Sequence, residues 1–177
     1  MKKSFIAILI FLAGMFLVVA GVTLLSNSNQ HPLPSGTVAD KVLVEKKARR
    51  LTLLKNGKTL KSYCIALGSN PTGKKLEEGD RRTPEGTYTI DRRKVKSSYH
   101  RALHVSYPNP YDIAQAKSRG VSPGGDIMIH GLPDCVGFLG KLHQYYDWTA
   151  GCVAVTNPEI EEIWRVVPNG TVLEIQP

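Results

Sequence analysis

Asn56-Gly57 stands between two apolar-rich runs, residues 50–54 and 60–67, and both read as β-strands. Asn and Gly accept the positive φ that a two-residue type I′ turn needs, so this dipeptide commits the chain to an antiparallel hairpin. Similar short runs recur at residues 42–45, 86–90, 102–107, 126–129 and 171–175. The run 102–107 stops at Pro108-Asn109-Pro110, which cannot continue a ladder. Residues 68–84 are a polar loop rich in Gly, Pro, Lys and Glu. Helical signal is scarce. Residues 111–118 offer one or two turns closed by Gly120. The clearer start is Thr156-Asn157-Pro158-Glu159, where either Thr156 caps with Glu159 or Asn157 caps ahead of Pro158. Ile160, Ile163, Trp164 and Val167 then mark one apolar face. The expectation is a mainly β domain with one helix in its C-terminal region.

Ahead of it lies an uncharged run, residues 4–25, behind Lys2 and Lys3. Roughly 20 apolar residues in a helix span about 30 Å, enough to cross a bilayer. A secretory signal peptide has a shorter apolar region and a small-x-small cleavage site. The run therefore reads as an uncleaved transmembrane signal-anchor, with the lysines inside and the rest of the chain outside the cytoplasm. Residues 26–40, rich in Ser, Asn and Pro, read as a flexible linker of roughly 20 Å root-mean-square span. Residues 41–177 are left as one domain, large enough to bury a core without disulfides.

The formal net charge is +8, and +6 without Lys2 and Lys3. Such a surface suits an anionic matrix such as cell wall or lipid headgroups, and equally suits simple solubility. Nucleic acid is not indicated, because no interleaving of aromatic and basic residues of the single-strand-binding kind is present. Three cysteines, Cys64, Cys135 and Cys152, are an odd number, which outside the cytoplasm points to a free thiol or an intermolecular pair. A Cys64–Cys135 bridge stays open as an alternative. Cys64, inside a strand-like run, reads as buried and inert.

Cys152 is different. It follows Gly151 in "DWTAGCVAV", a small-residue turn entering an apolar run. A thiol becomes a nucleophile when a neighbouring imidazole takes its proton. His130 suits that task, at the end of a short strand and just before Gly131, where a side chain is held rigidly. His143, in the aromatic loop "LHQYYDW", reads as a rim residue. His100 and His104 have helical metal-ligand spacing, but their run looks extended and no acidic partner is near in sequence. A site from Cys135, Cys152, His130 and His143 lacks the short paired spacing of structural zinc. No metal and no cofactor is expected.

The segments "IMIHG" and "DWTAGCVAV", with "GDRRTPEGTYTI" upstream, resemble the signature of the L,D-transpeptidases of the YkuD type. The matches are His130, Gly131, Thr149, Gly151 and Cys152, and the resemblance covers roughly residues 42–177. It implies an L,D-transpeptidase-like β-sandwich or barrel in which Cys152 attacks a carbonyl of a peptidoglycan tetrapeptide stem. His130 would be the general base, oriented by the Gly131 carbonyl. Gly151, Thr149 and His143 would line the oxyanion and substrate side. The thioester would then pass to an acceptor amine, forming a crosslink. Hydrolysis by the same site, as a carboxypeptidase or endopeptidase, and a non-catalytic wall-binding module are the alternatives. The expected setting is the bacterial cell envelope, with the domain anchored outside the cytoplasm. Two positions depart from the family pattern. Ala150 stands where many members have a histidine, and Ala154 where many have an arginine. The arginine would be a carboxylate clamp, so its task passes elsewhere, with Lys94, Arg101 and Lys141 as conceivable replacements.

Overall fold

The computed structural model describes residues 31–177 together with Ile8, residues 10–15, Leu17 and Gly21, which are helical. No helix among the described residues is long and apolar enough to cross a membrane. Most of the 4–25 run, and so the anchor expected there, lies outside them.

Eight strands build the domain: β1 (Lys41–Glu45), β2 (Arg50–Lys55), β3 (Lys58–Cys64), β4 (Gly86–Ser97), β5 (His100–Val105), β6 (Met128–His130), β7 (Val153–Ala154) and β8 (Val172–Gln176). Their order across the sheet is β3-β2-β1-β8-β4-β5-β6-β7. β8 lies between β1, which it meets in parallel, and the first residues of β4, which it meets antiparallel. The second half of β4 turns away to pair with β5. The two ends of the order then approach each other. Ala66, just past β3, exchanges both backbone hydrogen bonds with Ala154 of β7, at 2.9 and 2.8 Å. The sheet thus curls nearly shut around Val42, Leu53, Ile65, Ile90, Leu103, Ile129, Val153 and Leu173, all fully buried. The expectation of a mainly β sandwich or barrel holds.

The helices exceed the expected one. α1 (Pro110–Ser118) is capped by Asn109, whose side chain accepts from the Asp112 amide while Asp112 returns a bond to the Asn109 amide. α2 (Asn157–Val166) starts with the Thr156–Glu159 capping box. Of the two caps open from sequence, Thr156 is the one used. The cap is worth about 1 kcal/mol. Burying Ile160 and Ile163 contributes about 1.5–3 kcal/mol each, so the apolar face, not the cap, chiefly holds α2. A third helical piece, the 3₁₀ segment Asp134–Tyr145, replaces the expected aromatic loop and is broken at Gly140, where φ is 48°.

Further differences have physical causes. β4 runs to Ser97, well beyond the expected end at Ile90, because its outer half is held by its ladder to β5 and not by burial. The run Asp91-Arg92-Arg93-Lys94 therefore carries no apolar alternation to read. Cys64 is exposed, not buried: Tyr63 and Ile65 point into the core, so alternation turns the residue between them outward. Cys135 is exposed as well, and both thiols are free. The linker reading is also shortened. The Ala39 amide bonds the Val166 carbonyl, and the Arg165 guanidinium holds the carbonyls of Leu33 and Pro34. Residues 33–39 are thus docked on α2.

Candidate active site

β6 and β7 lie side by side in parallel, with Ile129 opposite Val153 and His130 opposite Ala154. Ile129 and Val153 are fully buried in the core. Alternation therefore turns His130 to the opposite face, and Cys152, one step before Val153, turns with it. Both side chains line a single cleft of about 600 Å³ with Tyr99, Asp126, Trp148 and Thr149.

His130 is 3% exposed. Its Nδ1 lies 2.6 Å from the Gly131 carbonyl oxygen. A carbonyl only accepts, so Nδ1 carries the hydrogen and Nε2 keeps the free lone pair. The Tyr99 ring lies over the imidazole, centroids 4.4 Å apart, and the Trp148 ring meets it edge-on at 5.9 Å. This burial pushes the imidazole pKa below its usual 6.5, against the opposing effect of the Gly131 bond. The imidazole is neutral at neutral pH and able to accept a proton.

The Cys152 thiol donates weakly to the Asp126 carbonyl at 3.6 Å. Burial, the largest influence, raises its pKa above 9.0. The Met128 amide opposes this, the Asp126 charge adds to it, and the charges of Lys75 and Lys94 pull it down. The resting pair is thus a neutral thiol beside a neutral imidazole.

The turn before Cys152 is fixed at every residue but one. Asp147 takes the Leu67 amide at 2.9 Å and a two-oxygen ion pair from Arg49. The Thr149 hydroxyl donates to the Cys152 carbonyl at 2.8 Å and accepts from the Gly151 amide at 3.1 Å. That amide is therefore occupied at rest. Gly151 has φ +132°, and a Cβ there would lie 2.7 Å from the Arg82 carbonyl oxygen, so only glycine fits. At Gly131 a Cβ would meet Asn157 Oδ1 at 2.5 Å, so a larger residue would have to displace that side chain. That same oxygen accepts the Leu132 amide at 2.7 Å and so ties the His130-Gly131 turn to the start of α2.

The upstream "GDRRTPEG" segment wraps the other wall. Asp80 accepts the amides of Leu76 and Arg82 and the Lys75 ammonium, which together hold its carboxyl below the usual range against burial. The Thr83 hydroxyl accepts the Gly68 amide, and buried Lys46 binds the carbonyls of Gly73 and Thr83 and the Glu85 carboxylate. The residues expected at this site are thus brought together, with one exception. His143 is not on the rim. It is buried, accepts from Trp148 Nε1 at 3.2 Å through Nδ1, and lines a separate apolar cavity with Leu132, Val136 and Leu139. Burial, with the nearby His130, lowers its pKa to about 4. His100 and His104 do have acidic neighbours, contrary to the sequence reading. His100 bridges Asp134 and Glu161, and His104 meets Asp91. Among the described residues no group of three or more His, Cys, Asp or Glu side chains is arranged to hold a metal ion.

The family model of the YkuD L,D-transpeptidase catalytic domain matches residues 39–175. The chain belongs to the YkuD family. It is similar to YafK of Escherichia coli (strain K12), named as a candidate L,D-transpeptidase, at 36% identity over 115 residues, which is 64% of this chain and 39% of that protein. YqjB of Bacillus subtilis (strain 168), named in the same way, is 24% identical over 164 residues, covering 91% and 81% of the two chains. Among solved structures, the helical cell shape determining protein Pgp2 of Campylobacter jejuni aligns with 88% of this chain and 54% of its own at 25% identity and a TM-score of 0.59. The chain spans about two fifths of YafK and about half of Pgp2.

Sequence reasoning missed Tyr99, Asp126, Arg81 and Lys96 in the YkuD cleft. Of the cations proposed to replace the clamp, Lys94 does line it, whereas Arg101 is paired with Glu161 and stacked on Trp164. Trp148 was visible in the quoted motif, four residues before the cysteine, but nothing there revealed its ring against His130.

Proposed function

We propose that this chain is a peptidoglycan L,D-transpeptidase acting through a cysteine thioester, with Cys152 as nucleophile and His130 as base. The observation that carries this reading is the shared cleft face of the thiol and an imidazole whose Nδ1–H is committed to the Gly131 carbonyl. His130 Nε2 takes the Cys152 proton as sulfur attacks the stem carbonyl. The C–S bond forms, the C–N bond breaks, and His130 returns the proton to the leaving amine. The Gly151 amide, bonded to the Thr149 hydroxyl at rest, becomes an oxyanion donor when that hydroxyl swings away, beside the Cys152 amide. An acceptor amine then resolves the thioester into a crosslink. Water in its place gives a carboxypeptidase or endopeptidase.

Incubating the domain with tetrapeptide-stem muropeptides and weighing the products tests the reading. Crosslinked dimers are expected, hydrolysed stems alone would move the assignment to the hydrolase, and unchanged stems would end it.

The pH profile follows from the two shifts. Activity needs neutral His130 and protonated Cys152, or the equivalent ion pair. The imidazole pKa is lowered below 6.5 and the thiol pKa raised above 9.0. The plateau in kcat/KM should therefore extend from below pH 6.5 to above pH 9. An acid limb centred above 6.5 would contradict a buried neutral base.

The proposal also keeps residues 1–25 as a membrane anchor, 26–40 as a linker and 41–177 as the catalytic domain outside the cytoplasm, on the support of Lys2, Lys3 and the uncharged 4–25 run. With residues 33–39 docked, the reach from the membrane is shorter than 15 free residues would give. Protease added to intact spheroplasts should digest the domain, and protection until lysis would place it inside.

A further inference from the structure

The position two after Cys152 is Ala154, fully buried in the β6–β7 pair, so no side chain there can meet a substrate. The cleft nevertheless holds three cations, Arg81, Lys94 and Lys96. Its single carboxylate is Asp126, whose side chain is 77% exposed and 4.0 Å from the Lys94 ammonium. Among the described residues, no hydrogen bond or ion pair engages the side chains of Arg81 or Lys96. Three positive groups against one negative one, two of them unpaired, make a wall that favours an anionic ligand.

These cations are aimed by the backbone. Arg81 has φ +59°, follows Asp80 with its collar of amides, and its carbonyl accepts the Asn70 amide. Lys94 and Lys96 lie two apart on β4, and both line the cleft. A bulge between Lys94 and Ser97 brings the consecutive residues 96–99 along the cleft. Lys94 is also close enough to the sulfur for its charge to favour the Cys152 thiolate. An anion held there sits beside the reacting bond.

We propose that Arg81, Lys94 and Lys96 bind the free C-terminal carboxylate of the residue that Cys152 displaces from the donor stem. This rests on the transpeptidase reading and gives it a substrate class: stems ending in a free acid, discriminated from amidated ends. The wall takes over carboxylate recognition that Ala154 cannot perform. It also retains the leaving residue's charge until the C–N bond breaks and His130 protonates the departing amine. Lys94 then serves twice, drawing the carboxylate in and favouring the thiolate.

The test uses the Cys152→Ala protein, which cannot turn over, titrated calorimetrically with a tetrapeptide stem and with its C-terminal amide. Every other charge on the stem is common to both probes. The acid should bind roughly tenfold to a hundredfold more tightly, as expected for charge-assisted hydrogen bonds. Adding Arg81→Gln, Lys94→Gln and Lys96→Gln should erase that preference and leave amide binding unchanged, with the thermal midpoint confirming a folded domain. Equal affinity for the two probes, or a preference that survives the triple substitution, overturns the proposal. If the intact enzyme processes acid and amide stems equally well, this inference fails and the transpeptidase reading stands. If neither stem binds or reacts, both fall.

Discussion

Replacing Cys152 with alanine should abolish turnover of stem peptides, by on the order of 10⁴-fold or more, while the domain stays folded. No other thiol can take over, because Cys64 and Cys135 are surface residues and neither lines the cleft. A nucleophile and its base act as a unit, so His130→Gln should cost nearly as much as Cys152→Ala, and the double substitution little more than either. The fold should tolerate the change. Alanine fits the space, and the lost contacts are weak ones, to the Asp126 carbonyl and from the Met128 amide, so stability should move by less than about 1 kcal/mol. His143→Gln provides the contrast. His143 faces an apolar cavity, not the cleft, so it should affect stability and pH tolerance more than the acylation rate. Single-turnover acylation monitored by intact mass separates these cases. A folded Cys152→Ala protein with full activity would remove the thioester from the mechanism, and a larger loss for His143→Gln than for His130→Gln would move the base.

The largest loss of stability should follow Glu162→Ala, well away from the cleft. Glu162 is 4% exposed. One carboxylate oxygen accepts the Leu33 amide, and the other accepts the Lys61 ammonium at 2.6 Å and the Tyr63 hydroxyl at 2.8 Å. Burial first, and then the bond to Glu162, raise the tyrosine pKa far above its usual 10.0, so the hydroxyl stays protonated and donates. Alanine strands these donors around a hole. Removing one partner from a buried ionic cluster costs about 3–5 kcal/mol, which for a domain of this size lowers the thermal midpoint by more than about 10 °C. Glu162→Gln keeps an acceptor of the same shape and should cost less than half as much. The loss should also loosen the start of the 33–39 segment, since the Leu33 amide is tied to α2 through this carboxylate, while the Arg165 and Val166 ties remain. Calorimetry with limited proteolysis between residues 31 and 40 checks both parts. A drop below about 3 °C would mean that the cluster adds little over an apolar replacement.

What was legible in the sequence was what local rules or a shared signature encode. Asn56-Gly57 turned β2 into β3 as expected. The His130-Gly131 and Gly151-Cys152 pairs stood out because each glycine packs tightly, Gly151 against the Arg82 backbone and Gly131 against the Asn157 side chain. The misreadings involve contacts between distant segments. Cys64 looked buried because its neighbours are apolar, yet strand alternation between Tyr63 and Ile65 faces it outward. His100 and His104 looked unpartnered because Asp134, Glu161 and Asp91 come from other elements. Arg81 and Lys96 were invisible as cleft residues because a left-handed residue and a bulge aim them, and neither leaves a periodic mark. Asn157 looked like a possible helix cap. Its side chain instead supports the loop after His130, a role no local pattern announces.

The position of β8 governs the order in which this molecule can assemble. Residues 172–176 are the last of the domain's eight strands to leave the ribosome, yet they form the seam between β1 and β4. Until they arrive, the chain holds two ladders, β1 to β3 and β4 to β7, which can meet through Ala66–Ala154 and Gly68–Thr149 but each keep a bare edge where β8 will sit. Leu173 and Ile175, both core residues, are missing at that stage. A nascent domain should therefore remain open and protease-sensitive until β8 has emerged, and then close in one late step. The thiol and imidazole lie on the far ladder, so their cleft would acquire its rigidity only at that final closure.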